Sequence, residues 1–455
     1  MIRRSLVLAL AAALSPLTVQ AADLLQVYEM ARNGDPQLAA AESTRLFNKE
    51  GQVQARAALL PQLNGQATLG RTRTEADGFS GTATTKRRNY TVEGSQTLFN
   101  WSQFANLRAQ RDISKAADFT LDSANDELIV RTAATYFNVL VAIESLSAAQ
   151  TNEAAAKKQF DYADKRLEVG LAPITDVHEA RAQYDQARAD TILAQNALED
   201  AYQALAELTG QPVRNLRALP DDFRPELPAN RGNIDQLVAE AVEQNPALKA
   251  QQLQVSAAEA SVAAARGGHY PTLSLGGSWG KAATWGDATG GSALNPDTTT
   301  NSVGLTLSVP IFAGGATQSG VRQALAQRDI AQDTYEQQRR ALDRNTRNAY
   351  QTLVAGISEV EARRLAVVSA QSAYDASQVG LEVGTRTVLD LVQNQRTLFA
   401  AQLNYAQARY SFLQSRLQLS QAVGALDIDE VQEINRLLTE DAEAKLQPAS
   451  AITTP

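Results

Sequence analysis

The sequence predicts a mixed α and β protein in which very long helices alternate with a few amphipathic strands, the whole pattern occurring twice. Three observations carry that prediction. There are Gly- and Pro-free runs too long for a globular core, strand segments with strict period 2, and an internal duplication at nearly constant spacing.

Composition points the same way. Of the 455 residues 44% are hydrophobic but only 6% aromatic, so the apolar content is small or aliphatic. Such a chain packs in thin, close layers rather than around one bulky centre. Cysteine is absent, which excludes a disulfide framework and a thiol nucleophile. The two histidines, His178 and His269, are 91 residues apart in sequence, which disfavours multi-His metal sites. No cofactor or metal is expected.

The first 22 residues read as a secretory signal. Met1-Ile2-Arg3-Arg4 is a basic start, Leu6 to Leu14 a short apolar run, and Val19-Gln20-Ala21 a small-residue cleavage site. A bilayer span needs about 20 apolar residues. No later stretch is expected to approach that length, so no transmembrane helix is expected. Without Arg3 and Arg4 the exported chain has 40 basic and 50 acidic residues, a net charge of −10 that disfavours nucleic acid.

The duplication is read from matched positions. Pro36 and Pro61 are 25 residues apart, as are Pro246 and Pro271, at an offset of 210. Further on the offset is 214, pairing Tyr136 with Tyr350, Gly170 with Gly384, Asp176 with Asp390 and Gly210 with Gly424. The expected division is a first repeat over 23–230, a second over 231–430, and a flexible tail over 431–455.

Each repeat has the same order. Residues 102–169 contain neither Gly nor Pro, and as one helix would be ~100 Å long. The counterpart, 316–383, is interrupted only by Gly320, Gly356 and Gly380. Helices are expected at 174–209 and 385–423, with shorter ones at 36–60 and 246–267 meeting them end to end. Helices of this length must lie against neighbours along their length, as in a helical cylinder.

Strands are expected at about 62–74, 87–99, 272–284 and 301–312, joined by polar loops near 75–86 and 284–300. In 302–309, Val303, Leu305, Leu307 and Val309 alternate with Ser302, Gly304, Thr306 and Ser308. The pattern fits a half-buried soluble sheet or a lipid-facing barrel wall with a wet lumen. Export and the aromatics Phe99, Trp101, Tyr270 and Phe312 at the strand ends favour the wall. Four strands cannot close a barrel alone, so at least two chains must share it.

The residues then resemble the TolC family of outer-membrane efflux and secretion channels. The likeness spans Leu25-Gln26-Val27-Tyr28 to about Glu430. Its specific pieces include Leu60-Pro61-Gln62-Leu63, Ala134-Thr135-Tyr136-Phe137-Asn138-Val139-Leu140, Ile174-Thr175-Asp176-Val177 and Leu307-Ser308-Val309-Pro310-Ile311-Phe312. The resemblance implies a homotrimer with a 12-stranded barrel, four strands per chain, continuous with a 12-helix periplasmic tunnel. It implies an exit duct without enzymatic activity, set in outer-membrane lipid. The implied partners are a periplasmic adaptor and an inner-membrane pump of RND or ABC type.

The same resemblance supplies site expectations. Asp390 matches an entrance aspartate whose three copies would favour cations, with Gln393 in place of a second acid. Alone, Asp390 also reads as an ordinary acidic residue near a helix start. Arg386 matches a gate residue tied across a subunit interface to Thr175 and Asp176. Leu381 stands where a tyrosine partner is common, and Gln378 where an acidic partner of Gln159 is. Val169, Gly170, Leu171 and Val383, Gly384, Thr385 match adaptor-docking tips, and equally read as simple helix stops.

Other motifs carry no chemistry. Gly276-Gly277-Ser278-Trp279-Gly280 fits a nucleophile elbow, but no histidine follows His269. Gly280-Lys281-Ala282 lacks phosphate-loop spacing, and His178-Glu179 lacks the second histidine of a zinc helix. The competing expectation is a periplasmic coiled-coil scaffold or adaptor with soluble strands.

Overall fold

The computed structural model describes residues 22–75, 82–171, 173–226, 233–288, 291–292 and 295–446. The signal expected over 1–22 lies outside them except for Ala22, as do 447–455. Leu24–Gly34 (α1) and Pro36–Ala57 (α2) lead to a hairpin of Gln62–Glu75 (β1) and Thr82–Phe99 (β2). Trp101–Glu168 (α3), Ile174–Thr209 (α4) and the short strand Arg217–Ala218 (β3) complete the first half. The second half has Ile234–Gln244 (α5), Pro246–Arg266 (α6), Thr272–Ala288 (β4), Gly291–Ser292 (β5) and Asn295–Ser308 (β6). Ala316–Glu382 (α7), Val388–Val423 (α8), Ile428–Leu437 (α9) and Glu440–Asp441 (β7) follow.

Local chemistry sets the ends. Asp23 accepts the Gln26 N–H at 2.8 Å and opens α1, and Asn233 accepts the Asp235 N–H at 3.0 Å to open α5. Gly210 and Gly424 close α4 and α8 in the left-handed region, at φ 73° and 78°. The chain forms two compact units, Ala41–Leu121 with Pro246–Arg339, and the remainder.

The first of these units holds the sheet, with the antiparallel order β1-β2-β4-β6 and β5 paired only to the end of β4. Register places Gly65, Val92, Trp279 and Asn301 in one row, and Ala67, Tyr90, Lys281 and Thr299 in another. Leu63, Leu69, Val92, Leu275, Val303 and Leu305 therefore share one face, while Asn64, Gln66, Thr91, Ser278 and Ser302 occupy the other. Among the described residues the outer edges of β1 and β6 have no strand partner. The ladders run further into the expected loops, to Glu75 paired with Thr82 and to Thr284 paired with Asn295. Apolar alternation fades there, so sequence pattern alone ends the strands too early. Conversely β6 stops at Ser308 rather than near 312, just before Pro310, which has no N–H to donate.

Helix packing in this unit is built on small side chains: Ala105, Ala109, Ala116, Ala257 and Ala260 are buried. A Cβ on Gly267 would stand 2.5 Å from Ser102 Oγ, and that hydroxyl donates to the Ala264 carbonyl at 2.8 Å. Only glycine permits this approach.

In the other unit Leu24, Val27, Leu128, Tyr136, Leu205, Leu216, Leu413 and Ile434 are buried. The Tyr136 hydroxyl donates to Arg217 O at 2.8 Å and accepts the Arg217 N–H at 2.9 Å, fixing β3 on α3. An 18-residue window of α3 reaches a mean hydropathy of 1.2, contrary to the expectation that no later stretch approaches a membrane span. Half of that window is buried within the protein. Its apolar side chains therefore serve as core.

The end-to-end helix junctions lie here. A Cβ on Gly34 would meet Thr209 O at 2.5 Å, and one on Gly424 would meet the Asn245 Cα at 2.7 Å. Asn245 Nδ2 also donates to Ala422 O at 3.2 Å. The end of α4 thus abuts the α1–α2 corner, and the end of α8 abuts the α5–α6 corner.

The segment beyond 430 is not a flexible tail as far as Leu446. The strand β7 pairs with β3, Ala442 is buried, and Ala442 N donates to Leu216 O at 2.9 Å. Lys445 Nζ lies 2.7 Å from Asp221 and 3.1 Å from Glu144. Its polar composition hid this order, because the partners lie more than two hundred residues away.

Candidate functional site

The two helical hairpin turns are built alike. Gly170 N donates to Leu167 O at 2.9 Å and Leu171 N to Arg166 O at 2.8 Å. At the other turn, Gly384 N donates to Leu381 O at 3.2 Å and Thr385 N to Gly380 O at 2.8 Å. Both are Schellman closures, with the glycines at φ 74° and 77°. A Cβ on either glycine would meet nothing within 4 Å, so backbone conformation alone requires them. The helix-stop reading of these positions is therefore correct as far as the fold goes. Val169, Leu171 and Val383 are about two-thirds exposed, at 68%, 69% and 69%. Ile174 and Leu389 are exposed beside them. The turns present aliphatic tips.

The hairpins meet a few turns behind the tips. Gln395 is buried and donates to Asn152 Oδ1 at 2.7 Å, while Gln159 donates to Gln395 Oε1 at 3.2 Å. Arg396 Nη2 donates to Gln183 Oε1 at 2.6 Å. Consecutive residues of α8 thus reach α3 and α4. Gln378 is exposed, and within one chain the Gln159 amide donates to Gln395. Around these contacts lies a polar cavity of about 450 Å³ that also reaches Gln186, Asp190 and Phe399. Sequence reasoning missed Gln395, Asn152, Gln183 and Arg396. The available signal was an amide in the buried stripe of Leu391 and Val392.

Asp390 is first of all a cap. Its Oδ2 accepts the Thr387 N–H at 3.0 Å and the Thr387 hydroxyl at 2.9 Å, and Thr387 Oγ1 accepts the Asp390 N–H at 3.2 Å. The hydrogen bonds from the Thr387 backbone and hydroxyl, then the Arg386 charge, hold the Asp390 carboxyl below its ordinary range. It is ionised at neutral pH. The duplicate turn has Pro173 at the N-cap with no side-chain cap, and Thr175 Oγ1 lies 3.5 Å from Asp176 Oδ1. The two repeats have diverged at this position.

Arg386 is exposed, and its backbone N–H donates to Gly380 O at 3.1 Å. Within one chain, among the described residues, it forms no ion pair with Asp176. Leu381 is half-buried, with its carbonyl spent on the Gly384 turn. The fold therefore gathers Arg386, Thr385 and Gly380 in one turn and Thr175 with Asp176 in another.

Comparison with known proteins adds the following. Residues 27–211 and 237–425 match the family described as outer membrane efflux protein. Outer membrane protein TolC of Escherichia coli (strain K12) is 35% identical over 431 residues, covering 92% of this chain and 86% of that protein. The alkaline protease secretion protein AprF of Pseudomonas aeruginosa is 28% identical over 419 residues, covering 89% of this chain and 85% of that one. The crystal structure of the CmeC outer membrane channel of Campylobacter jejuni superposes with a TM-score of 0.74 at 19% identity. That superposition covers 92% of this chain and 91% of the other.

Proposed function

Because the chain belongs to the outer membrane efflux protein family and is an outer-membrane channel for efflux and protein secretion, we propose that three copies close one duct. The sheet carries this reading. It has one apolar and one polar face, two edges without a strand partner among the described residues, and four long strands where about eight are the usual minimum for closure. Edge-to-edge joining of β6 to β1 of the next chain satisfies backbone groups that lipid cannot. Three chains bring the total to twelve strands. The tunnel continues in α3, α4, α7 and α8, with the hairpin turns at its periplasmic mouth.

In this assembly three Asp390 carboxylates face one axis and attract cations, multivalent ones most strongly. Arg386 of one chain reaches Thr175 and Asp176 of the next and holds the mouth shut, with Leu381 packing beside it. The aliphatic tips Val169, Leu171 and Val383, set by Gly170, Gly384 and Thr385, dock a periplasmic adaptor, through which an inner-membrane pump of the RND or ABC type delivers its load. The duct itself performs no chemistry.

The test is single-channel conductance of detergent-purified protein in planar bilayers. Small cation-selective channels blocked from one side by a trivalent cation are expected. Arg386→Ser should enlarge the conductance; an unchanged value removes the tie.

A further inference from the structure

The lipid-facing side of the sheet ends in a band of positive charge. Register places Arg71 directly opposite Lys86 and Leu69 opposite Arg88 on the face that carries Leu63, Tyr90 and Trp279. Lys281, opposite Tyr90, joins them. Along β1, Arg71 is eight residues from Leu63, which at ~3.3 Å per residue and a tilt of ~40° is ~20 Å along the membrane normal. An outer-membrane apolar band is ~25 Å tall, so Arg71 and its cross-strand neighbour Lys86 stand at its margin, with Arg88 and Lys281 in the rows below. That margin is the one remote from the helices, because β1 and β2 join α2 and α3 at their other ends.

Two features separate the members of the band. Asp297 accepts Arg88 Nη2 at 2.6 and 2.8 Å and lies 3.1 Å from Lys281, so those two cations already share a carboxylate. Arg71 and Lys86 are exposed, and among the described residues neither has an ion-pair partner. Like charges directly across an antiparallel pair repel, and the thin water layer at a membrane surface screens them poorly. An anion between them removes the conflict. On the lumen face, the neighbouring positions Gly70, Thr72, Thr85, Asn89 and Thr284 are uncharged, leaving Arg87 alone.

We propose that Arg71 and Lys86 bind a phosphate of a phosphorylated glycolipid in the outer leaflet, with Arg88 and Lys281 held by Asp297 as the flank of that site. Guanidinium and ammonium groups are the natural partners of phosphate oxygens, and the acyl chains then lie along Leu69, Tyr90 and Trp285. This inference rests on the sheet being a membrane wall.

The experiment titrates detergent-purified protein with lipopolysaccharide, with its dephosphorylated form, and with phosphatidylglycerol. The R71S/K86S double variant should bind lipopolysaccharide about tenfold more weakly, R71K/K86R should retain binding, and R87S should match the wild type. The dephosphorylated lipid and phosphatidylglycerol should bind the wild type as weakly as lipopolysaccharide binds the double variant. Equal binding by wild type and R71S/K86S, an equal loss in R87S, or equally tight phosphatidylglycerol overturns the proposal. Channel formation in planar bilayers by the same samples reports separately whether the wall has formed.

Discussion

The stem of Arg386 lies against the backbone of Gly380. A Cβ on Gly380 would stand 2.6 Å from Arg386 Cγ and 3.2 Å from its Cβ, while the Arg386 N–H donates to the Gly380 carbonyl at 3.1 Å. The glycine that interrupts the end of α7 is therefore the seat of the arginine proposed as a gate tie. Gly380→Ala should displace that stem and mimic Arg386→Ser, with a several-fold larger single-channel conductance. Wild-type conductance in Gly380→Ala would separate the arginine from the gate.

Cap and charge can be separated at Asp390. Thr387→Ala removes the side-chain cap, at a cost of about 1 kcal/mol, and leaves the carboxylate. Asp390→Asn keeps an acceptor for Thr387 and removes the charge. Trivalent-cation block should survive Thr387→Ala and be lost in Asp390→Asn. Because the carboxyl is held below the ordinary aspartate range, block should persist across neutral and mildly acidic pH and fade only as pH falls below that range.

Gln395 ties α8 to α3 through Asn152 and Gln159. Gln395→Leu keeps the volume and deletes these bonds, leaving the Asn152 and Gln159 amides without this partner. We expect a larger or noisier conductance, whereas Gln378→Ala, on an exposed position, should behave as wild type. Equal behaviour of the two variants would deny Gln395 a part in closure.

The segment after α9 should resist removal. Arg409 has a 2% exposed side chain, with Nη2 3.3 Å from Glu144 and Nη1 donating to Pro220 O at 3.1 Å. Lys445 shares Glu144 and Asp221. Breaking a buried pair from one side typically costs about 3–5 kcal/mol, so Glu144→Gln should lower the unfolding midpoint markedly. A stop codon at Glu440 should do the same, measured by protease resistance of the purified oligomer.

Asp126 gives a pH dependence of opposite sign to that of an ordinary aspartate. Burial first, then Asp122 and Asp427, push its carboxyl from 3.8 up to about 7. The folded state thus holds a proton that the unfolded chain releases. Stability falls as pH rises from about 4 to about 7 and stays low above that. Asp126→Asn should flatten this slope and stabilise the protein at pH 8 by about 1–2 kcal/mol, after discounting for partial exposure.

Much of this protein is legible because its elements are local. A run without Gly or Pro becomes the 68-residue helix Trp101–Glu168, since each hydrogen bond of a helix joins residues four apart. Gly170 and Gly384 mark their turns because only the left-handed region closes them. Period-2 alternation over 302–309 sorts β6 into two faces without knowledge of its partner.

What the chain alone could not reveal lies in pairings between distant segments. Within one chain Gln159 meets Gln395 rather than Gln378, and nothing in their composition chooses between the two amides. The extended ladders that set Arg71 against Lys86 follow from register once apolar alternation has ended. Asp390 carries the same aspartate as Asp176, but a threonine three positions earlier makes one a reciprocal cap and leaves the other without one. The residues after 430 look dispensable until Lys445 is seen between Glu144 and Asp221. The long helices, their glycine turns and the two faces of each long strand are legible in the sequence, because backbone geometry and side-chain periodicity act over a few residues. Tertiary structure decided which polar groups are paired, because those bonds depend on packing between segments hundreds of residues apart.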